Sequence, residues 1–142
     1  MILADANLLL YAYDSQSPFH QKAKSWMEDA FSRPEPFGFS WFTLTAFIRI
    51  ATNPRVFQHP LSLVDTIAIV DEWLQTANAV ILSPGHGHWD ILRNYLRESQ
   101  AAGPLATDAH LAALAVEHGA TFHTNDRDFS RFNDLKLVFP LE

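Results

Sequence analysis

The sequence predicts an α/β sandwich with a mostly parallel central sheet, as a single domain over residues 1–142. Short apolar runs alternate with segments of helical period along the whole chain, which is the pattern of repeated strand–helix units. The length of 142 residues and a hydrophobic content of 48% are those of one globular domain with a real core. Acidic residues recur where an apolar element meets a turn, as expected at the carboxyl rim of such a sheet.

Met1 to Ala4 reads as a short buried strand, followed through an Asp-x-Asn turn by a compact apolar helix over Asn7 to Tyr13. His20 to Ser32 spaces Ala23, Trp26, Met27 and Ala30 at helical period, and Pro34 and Pro36 end it. Phe37 to Phe39 forms a second strand leading into Ser40 as a helix N-cap. Trp41 to Thr52 is apolar almost all round, so this helix is expected to lie buried between other elements. Asn53-Pro54 breaks it, Ser62 to Gln75 forms an amphipathic helix, and Ala79 to Leu82 a third strand. Trp89 to Ser99 is a helix, and Asp108 to His118 another, closed by Gly119. Ala120 to His123 is a fourth strand ending in an Asn-Asp-Arg-Asp turn, and Leu137 to Phe139 is a candidate fifth.

No apolar run approaches the roughly 18 residues that span a bilayer, and no basic segment precedes the opening apolar stretch. A cytoplasmic protein with no membrane partner is expected. With no cysteine, any metal must be held by oxygen or imidazole, which favours Mg²⁺ or Mn²⁺. The net charge of -6 excludes a broad basic surface gripping nucleic acid by counterion release alone.

Asp5 and Asp126 follow predicted strands and Asp108 opens a predicted helix, so a parallel sheet brings all three to one edge. Each alone is explained as a helix cap. Together they repel unless a cation neutralises them, and a divalent cation on such a trio suits hydrolysis of a phosphodiester.

The segments ILADANLLLYA, TDAHLAALA and TNDRDF, in this order, resemble the PIN-domain ribonucleases, and most closely the VapC toxins of prokaryotic toxin–antitoxin pairs. TLTAFIRIATNPRVF extends the likeness to the third-helix segment of a subset of these toxins. The resemblance implies a PIN-like α/β/α fold and Mg²⁺- or Mn²⁺-dependent endoribonuclease activity. It also implies an RNA substrate, a cognate antitoxin and a homodimer. Carried over by position, Asp5, Asp108 and Asp126 are the catalytic and metal-binding acids, with Asp128 auxiliary, and Asn7, Arg49 and Asn125 orient the RNA. The chain departs from the family where many members carry a Glu: Ala46 stands before Phe47-Ile48-Arg49. That reduces the usual quartet to a trio, with Thr43 or Thr45 as substitutes for holding a water. It also keeps open a degenerate domain that binds RNA or protein without cutting.

Arg49 on an apolar helix calls for a partner, either a pocket carboxylate, a substrate phosphate or a structural salt bridge. Gly85-His86-Gly87-His88 offers a His-x-His metal pair, but its setting is that of a loop feeding a helix, and no third ligand lies at suitable spacing. His110 is expected as a packed or exposed helical residue, while Arg55, Arg93, Arg97, Arg127 and Arg131 are candidates to steer a phosphate backbone, though scattered arginines are more often only solvated surface. A phosphatase or receiver-domain reading of Asp5-Ala6-Asn7 needs a lysine after a rim strand, and none of Lys22, Lys24 and Lys136 stands there.

Overall fold

The computed structural model describes all residues 1–142. In chain order the elements are β1 (Ile2–Ala4), α1 (Ala6–Tyr11), α2 (His20–Ser32), β2 (Phe37–Phe39) and α3 (Trp41–Ala51). There follow α4 (Leu63–Gln75), β3 (Ala79–Ile81), α5 (His88–Glu98), α6 (Leu105–Glu117) and β4 (Thr121–His123). A 3₁₀ turn (Arg127–Arg131) and β5 (Leu137–Val138) complete the chain. The five strands form one sheet in the order β3-β2-β1-β4-β5, and every neighbouring pair is parallel.

The alternation of side chains along β1 divides the core. Ile2 and Ala4 point to one face, where Leu8, Leu9, Met27, Phe47 and Trp73 from α1 to α4 cover them. Leu3 points to the other, against Leu114, Phe122, Phe129 and Tyr95 on the side of α5 and α6. Gly38 on β2 is needed by this second layer. A Cβ there would lie 2.7 Å from Leu82 Cδ1 and 3.0 Å from the Ile2 carbonyl oxygen.

The caps agree with the local chemistry. Ser40 Oγ accepts from the Thr43 N–H at 3.0 Å, and Ser62 Oγ from the Asp65 N–H at 3.0 Å, starting α3 and α4. At the end of α6, Gly119 sits at φ +65° while the Ala120 N–H donates to the Ala115 carbonyl and the Gly119 N–H to the Val116 carbonyl. That pair of bonds is a Schellman closure, which the left-handed glycine permits.

Three expectations are corrected. Helix α6 begins at Leu105, so Asp108 lies in its first turn and does not open it. Pro104, at φ -59° and ψ -24°, already sets the helical direction four residues earlier. Helix α1 starts at Ala6 and ends at Tyr11, leaving Tyr13 in a turn. Helix α3 is not buried all round: Trp41, Phe42, Thr45 and Arg49 are exposed along one flank, because α3 packs chiefly on α1 and α4 and the flank left over is only partly covered, Phe42 meeting His110 of α6 edge-on at 5.9 Å between ring centroids.

Candidate functional site

Parallel pairing of β1 with β4 sets Ala4 opposite His123, so the chain leaves both strands at one rim, with Asp5 after the first and Thr124-Asn125-Asp126 after the second. The Asp5 N–H donates to the His123 carbonyl at 2.9 Å, which carries the ladder one residue beyond the strand. Helix α6 precedes β4, so its first turn, with Asp108, returns to the same rim.

Asp5 adopts an extended N-cap backbone, yet its carboxylate makes no capping bond to α1. Instead Thr124, fully buried, donates its hydroxyl to Asp5 Oδ2 at 2.8 Å, and Thr124 Oγ1 accepts the Asp126 N–H at 3.0 Å. Asp126 Oδ1 then accepts the Asp128 N–H at 2.9 Å, capping the 3₁₀ turn. Thr124 is the functional residue that sequence reading left without a role. The signal was present, since a hydroxyl residue directly after a buried strand and two before an acid is the spacing of a local turn bond.

Burial is the main cause that raises the Asp5 carboxyl above its ordinary 3.8, with repulsion from Asp126 adding and the Thr124 bond opposing. Asp108 is pushed up to about 6, by burial first and then by the negative charges of Asp5, Asp126 and Asp128, with Arg131 the one opposing charge. The structure therefore brings the three acids, and Asp128 beside them, into one electrostatic unit.

Asn7 lies on the first turn of α1, and its Oδ1 is buried without a hydrogen-bond partner. Asn125 is part-buried between Thr124 and Asp126. Arg49 stands eight residues along α3 from Trp41, about 12 Å of helix, exposed and without an ion pair. Its exposure removes the need for a buried partner. Ala46 is buried, and the hydroxyls named as substitutes are differently employed. Thr43 Oγ1 accepts from Ser40 Oγ at 2.9 Å beneath the end of β2, while Thr45 donates to the Trp41 carbonyl at 2.8 Å.

No three acidic or imidazole side chains close into a preformed metal cluster. The donor set nevertheless fits a hard divalent cation: it is all oxygen, two of its carboxyls are raised, by burial first and by their neighbours' charge after it, and two residues after Asp5 the buried Asn7 Oδ1 has no hydrogen-bond partner. His86 and His88 form no pair of ligands. His88 is buried, shares a hydrogen bond of 2.9 Å with His110 through Nε2 and Nδ1, and faces Glu117, while His86 is exposed.

The model of the PIN domain family matches residues 2–135. Ribonuclease VapC33 of Mycobacterium tuberculosis is 42% identical over 141 residues, covering 99% of each chain. Ribonuclease VapC37 of the same organism is 40% identical over 140 residues, covering 99% of this chain and 97% of its own. Among solved structures, VapBC-1 from nontypeable Haemophilus influenzae is similar with a TM-score of 0.69 at 18% identity, covering 100% of both chains. VapBC2 from Rickettsia felis, bound to a promoter DNA fragment, gives 0.67 at 18%, covering 97% of this chain and 98% of the other. These structural likenesses bear on the fold, which they share from end to end. With whole-chain identity to the VapC ribonucleases added to the match over residues 2–135, the chain belongs to the PIN domain family, in its VapC branch.

Proposed function

We propose that this protein is a metal-dependent endoribonuclease, the toxin of a type II toxin–antitoxin pair, in which Asp5, Asp108 and Asp126 hold Mg²⁺ or Mn²⁺. The observation that carries the reading is the set of three carboxylates on one sheet rim, Asp5 and Asp126 linked through Thr124 and Asp108 raised in part by the charges of both. When bound, the cation supplies charge neutralisation at phosphoryl oxygens and acidification of water. Thr124 keeps one lobe of Asp5 aimed by donating to Oδ2, and the Asp128 N–H fixes Asp126 through Oδ1. Each acid thus retains a second oxygen for the ion. Asn7 and Asn125 supply neutral polar groups at the same edge, where an RNA strand must approach.

An antitoxin partner is supported by the toxin–antitoxin complexes among the structural neighbours. Exposed apolar side chains offer surfaces for it and for a second copy: Trp41 and Phe42 on α3, Leu63, Val64 and Ile67 on α4, and Val80 and Ile81 on the edge strand. No helix is long and apolar enough to cross a membrane, which agrees with a toxin acting on cytoplasmic RNA. The ribonuclease names of the relatives favour cleavage over a binding-only module.

Purified protein with Mn²⁺ is expected to cut a structured RNA, and Asp5→Ala to abolish cutting while circular dichroism shows the fold retained. Equal cutting by both proteins removes the carboxylate mechanism.

A further inference from the structure

The acidic rim poses a difficulty for any polyanionic substrate, since four carboxylates, Asp5, Asp108, Asp126 and Asp128, share one edge. A cation of the chain itself must meet a phosphate close by. Of the ten Lys and Arg residues, several are already engaged elsewhere. Arg33 pairs with Asp29, Arg93 with Asp90, and Arg127 with Glu142 while its guanidinium lies 4.0 Å from the Phe139 ring centroid.

Arg131 differs. Its Nε donates to the Asp128 carbonyl at 3.1 Å, and its own carbonyl accepts from Ser99 Oγ at 3.2 Å, which ties the end of the 3₁₀ turn to the loop between α5 and α6. That first bond ends a continuous chain of hydrogen bonds running from Asp5 through Thr124, Asp126 and Asp128. The guanidinium is therefore registered to the carboxylates by short bonds on one segment. It makes no ion pair, and its two terminal nitrogens have no carboxylate partner. It is also the one positive charge that acts on Asp108 against the surrounding acids.

We infer that Arg131 is a substrate-positioning residue that holds an RNA phosphate beside the carboxylate rim, its Nε fixed by Asp128 and its terminal nitrogens free for a phosphate oxygen. The inference rests on the ribonuclease reading above. Anchored through Nε, the guanidinium needs little ordering on binding, which a long, unattached Lys would lack.

The test uses a fluorescein-labelled single-stranded RNA 12-mer and full-length protein carrying Asp5→Asn, which leaves the RNA uncut. Adding Arg131→Ala is expected to weaken binding about tenfold, as loss of one charged hydrogen-bond site does. It should also lower the slope of log affinity against log salt by about 0.7, the value for one phosphate contact on a single strand. Lys24→Ala, which removes a charge on α2 outside the rim, is expected to leave both unchanged. Arg131→Lys should recover the slope but only part of the affinity. Unchanged affinity and slope in Arg131→Ala, an equal effect of Lys24→Ala, or a weakening that tracks a fall in melting temperature with the slope intact each overturns the assignment. Wild-type protein with Mn²⁺ and the same RNA reads the ribonuclease activity separately. Failure to cut there counts against the nuclease, whereas a lost slope effect counts against Arg131.

Discussion

Asp108→Asn is expected to stabilise the metal-free protein while destroying its activity. The Asp108 carboxyl titrates near 6 in the fold against an ordinary 3.8, so the fold disfavours its charged form. The sign follows directly. A carboxyl with a raised folded pKa contributes stability below about pH 3.8, and this is lost as pH rises through about 6, so at pH 7 the whole penalty is present. Taken at face value the difference is about 3 kcal/mol. The side chain is only part-buried, and solvent screening brings this to on the order of 1–1.5 kcal/mol. For a domain of this size that is a rise in melting temperature of roughly 3–5 °C. Asn keeps the shape and cannot ionise. The assay is thermal unfolding followed by circular dichroism in EDTA at pH 7 and pH 3.5, where the difference should shrink toward zero because both states are protonated. Saturating Mn²⁺ should reverse the order at pH 7, since about a hundredfold excess over Kd stabilises a binding-competent wild type by roughly 2.7 kcal/mol. A variant that melts at or below wild type in EDTA at pH 7 refutes the reasoning that the rim is electrostatically strained.

Thr124→Val keeps the buried volume but removes the donor to Asp5 and the acceptor for the Asp126 N–H; about 1–3 kcal/mol of stability and at least tenfold of cleavage should be lost, with Thr124→Ser recovering both in denaturant melts and RNA assays. His123 Nδ1 accepts the Trp26 indole N–H at 3.1 Å, and burial pushes this imidazole down to about 4. Stability should therefore be intact above pH 6.5 and fall by on the order of 2 kcal/mol as pH drops toward 4, and urea titrations should show that window flattened in His123→Gln. Gly38→Ala places a methyl 2.7 Å from Leu82 Cδ1, and denaturant midpoints should register a loss of about 1–3 kcal/mol unless Leu82 repacks.

The architecture was legible because β1 and β2, at the centre of the sheet, are buried along their length and read as plain apolar runs, while several helices carry their own boundary residues. Ser40, Ser62 and Gly119 perform the capping that their types and positions announce. What escaped was tertiary. The composition of α3 is apolar enough to be read as buried on every side, yet Trp41 and, beside its edge contact with His110, Phe42 remain exposed. A one-chain hydrophobic pattern does not distinguish a surface packed within the fold from one kept for a partner. That Asp5 and Asp126 share an edge was legible, since each follows a strand and parallel strands end together, whereas Asp108 reaches it through the first turn of α6. Arg49 and Arg131 were not separable by sequence, because what distinguishes Arg131 is a tertiary detail, its Nε bond to the Asp128 carbonyl.

Ala46 bears on how a site with one acid fewer stays functional. A fourth carboxylate on α3 would stand near Ser40 and Thr43, which are fully engaged with one another beneath the end of β2, so that flank of the rim is closed by hydroxyls and a methyl group. The opposite flank carries the charge instead: Asp126 and Asp128 follow one another along the 3₁₀ turn, and both act on Asp108. Asp126 and Asp128 both lie after β4, and we propose that Asp128 compensates for the position that α3 leaves neutral. If so, Asp128→Asn should weaken Mn²⁺ binding in calorimetry by several-fold without unfolding the protein, whereas Ala46→Glu, forced into a buried place without a partner, should lower stability more than it raises metal affinity. A variant Ala46→Glu that binds Mn²⁺ tightly at unchanged stability would show that the neutral flank is an open vacancy after all, and that the charge on the β4 side compensates for nothing.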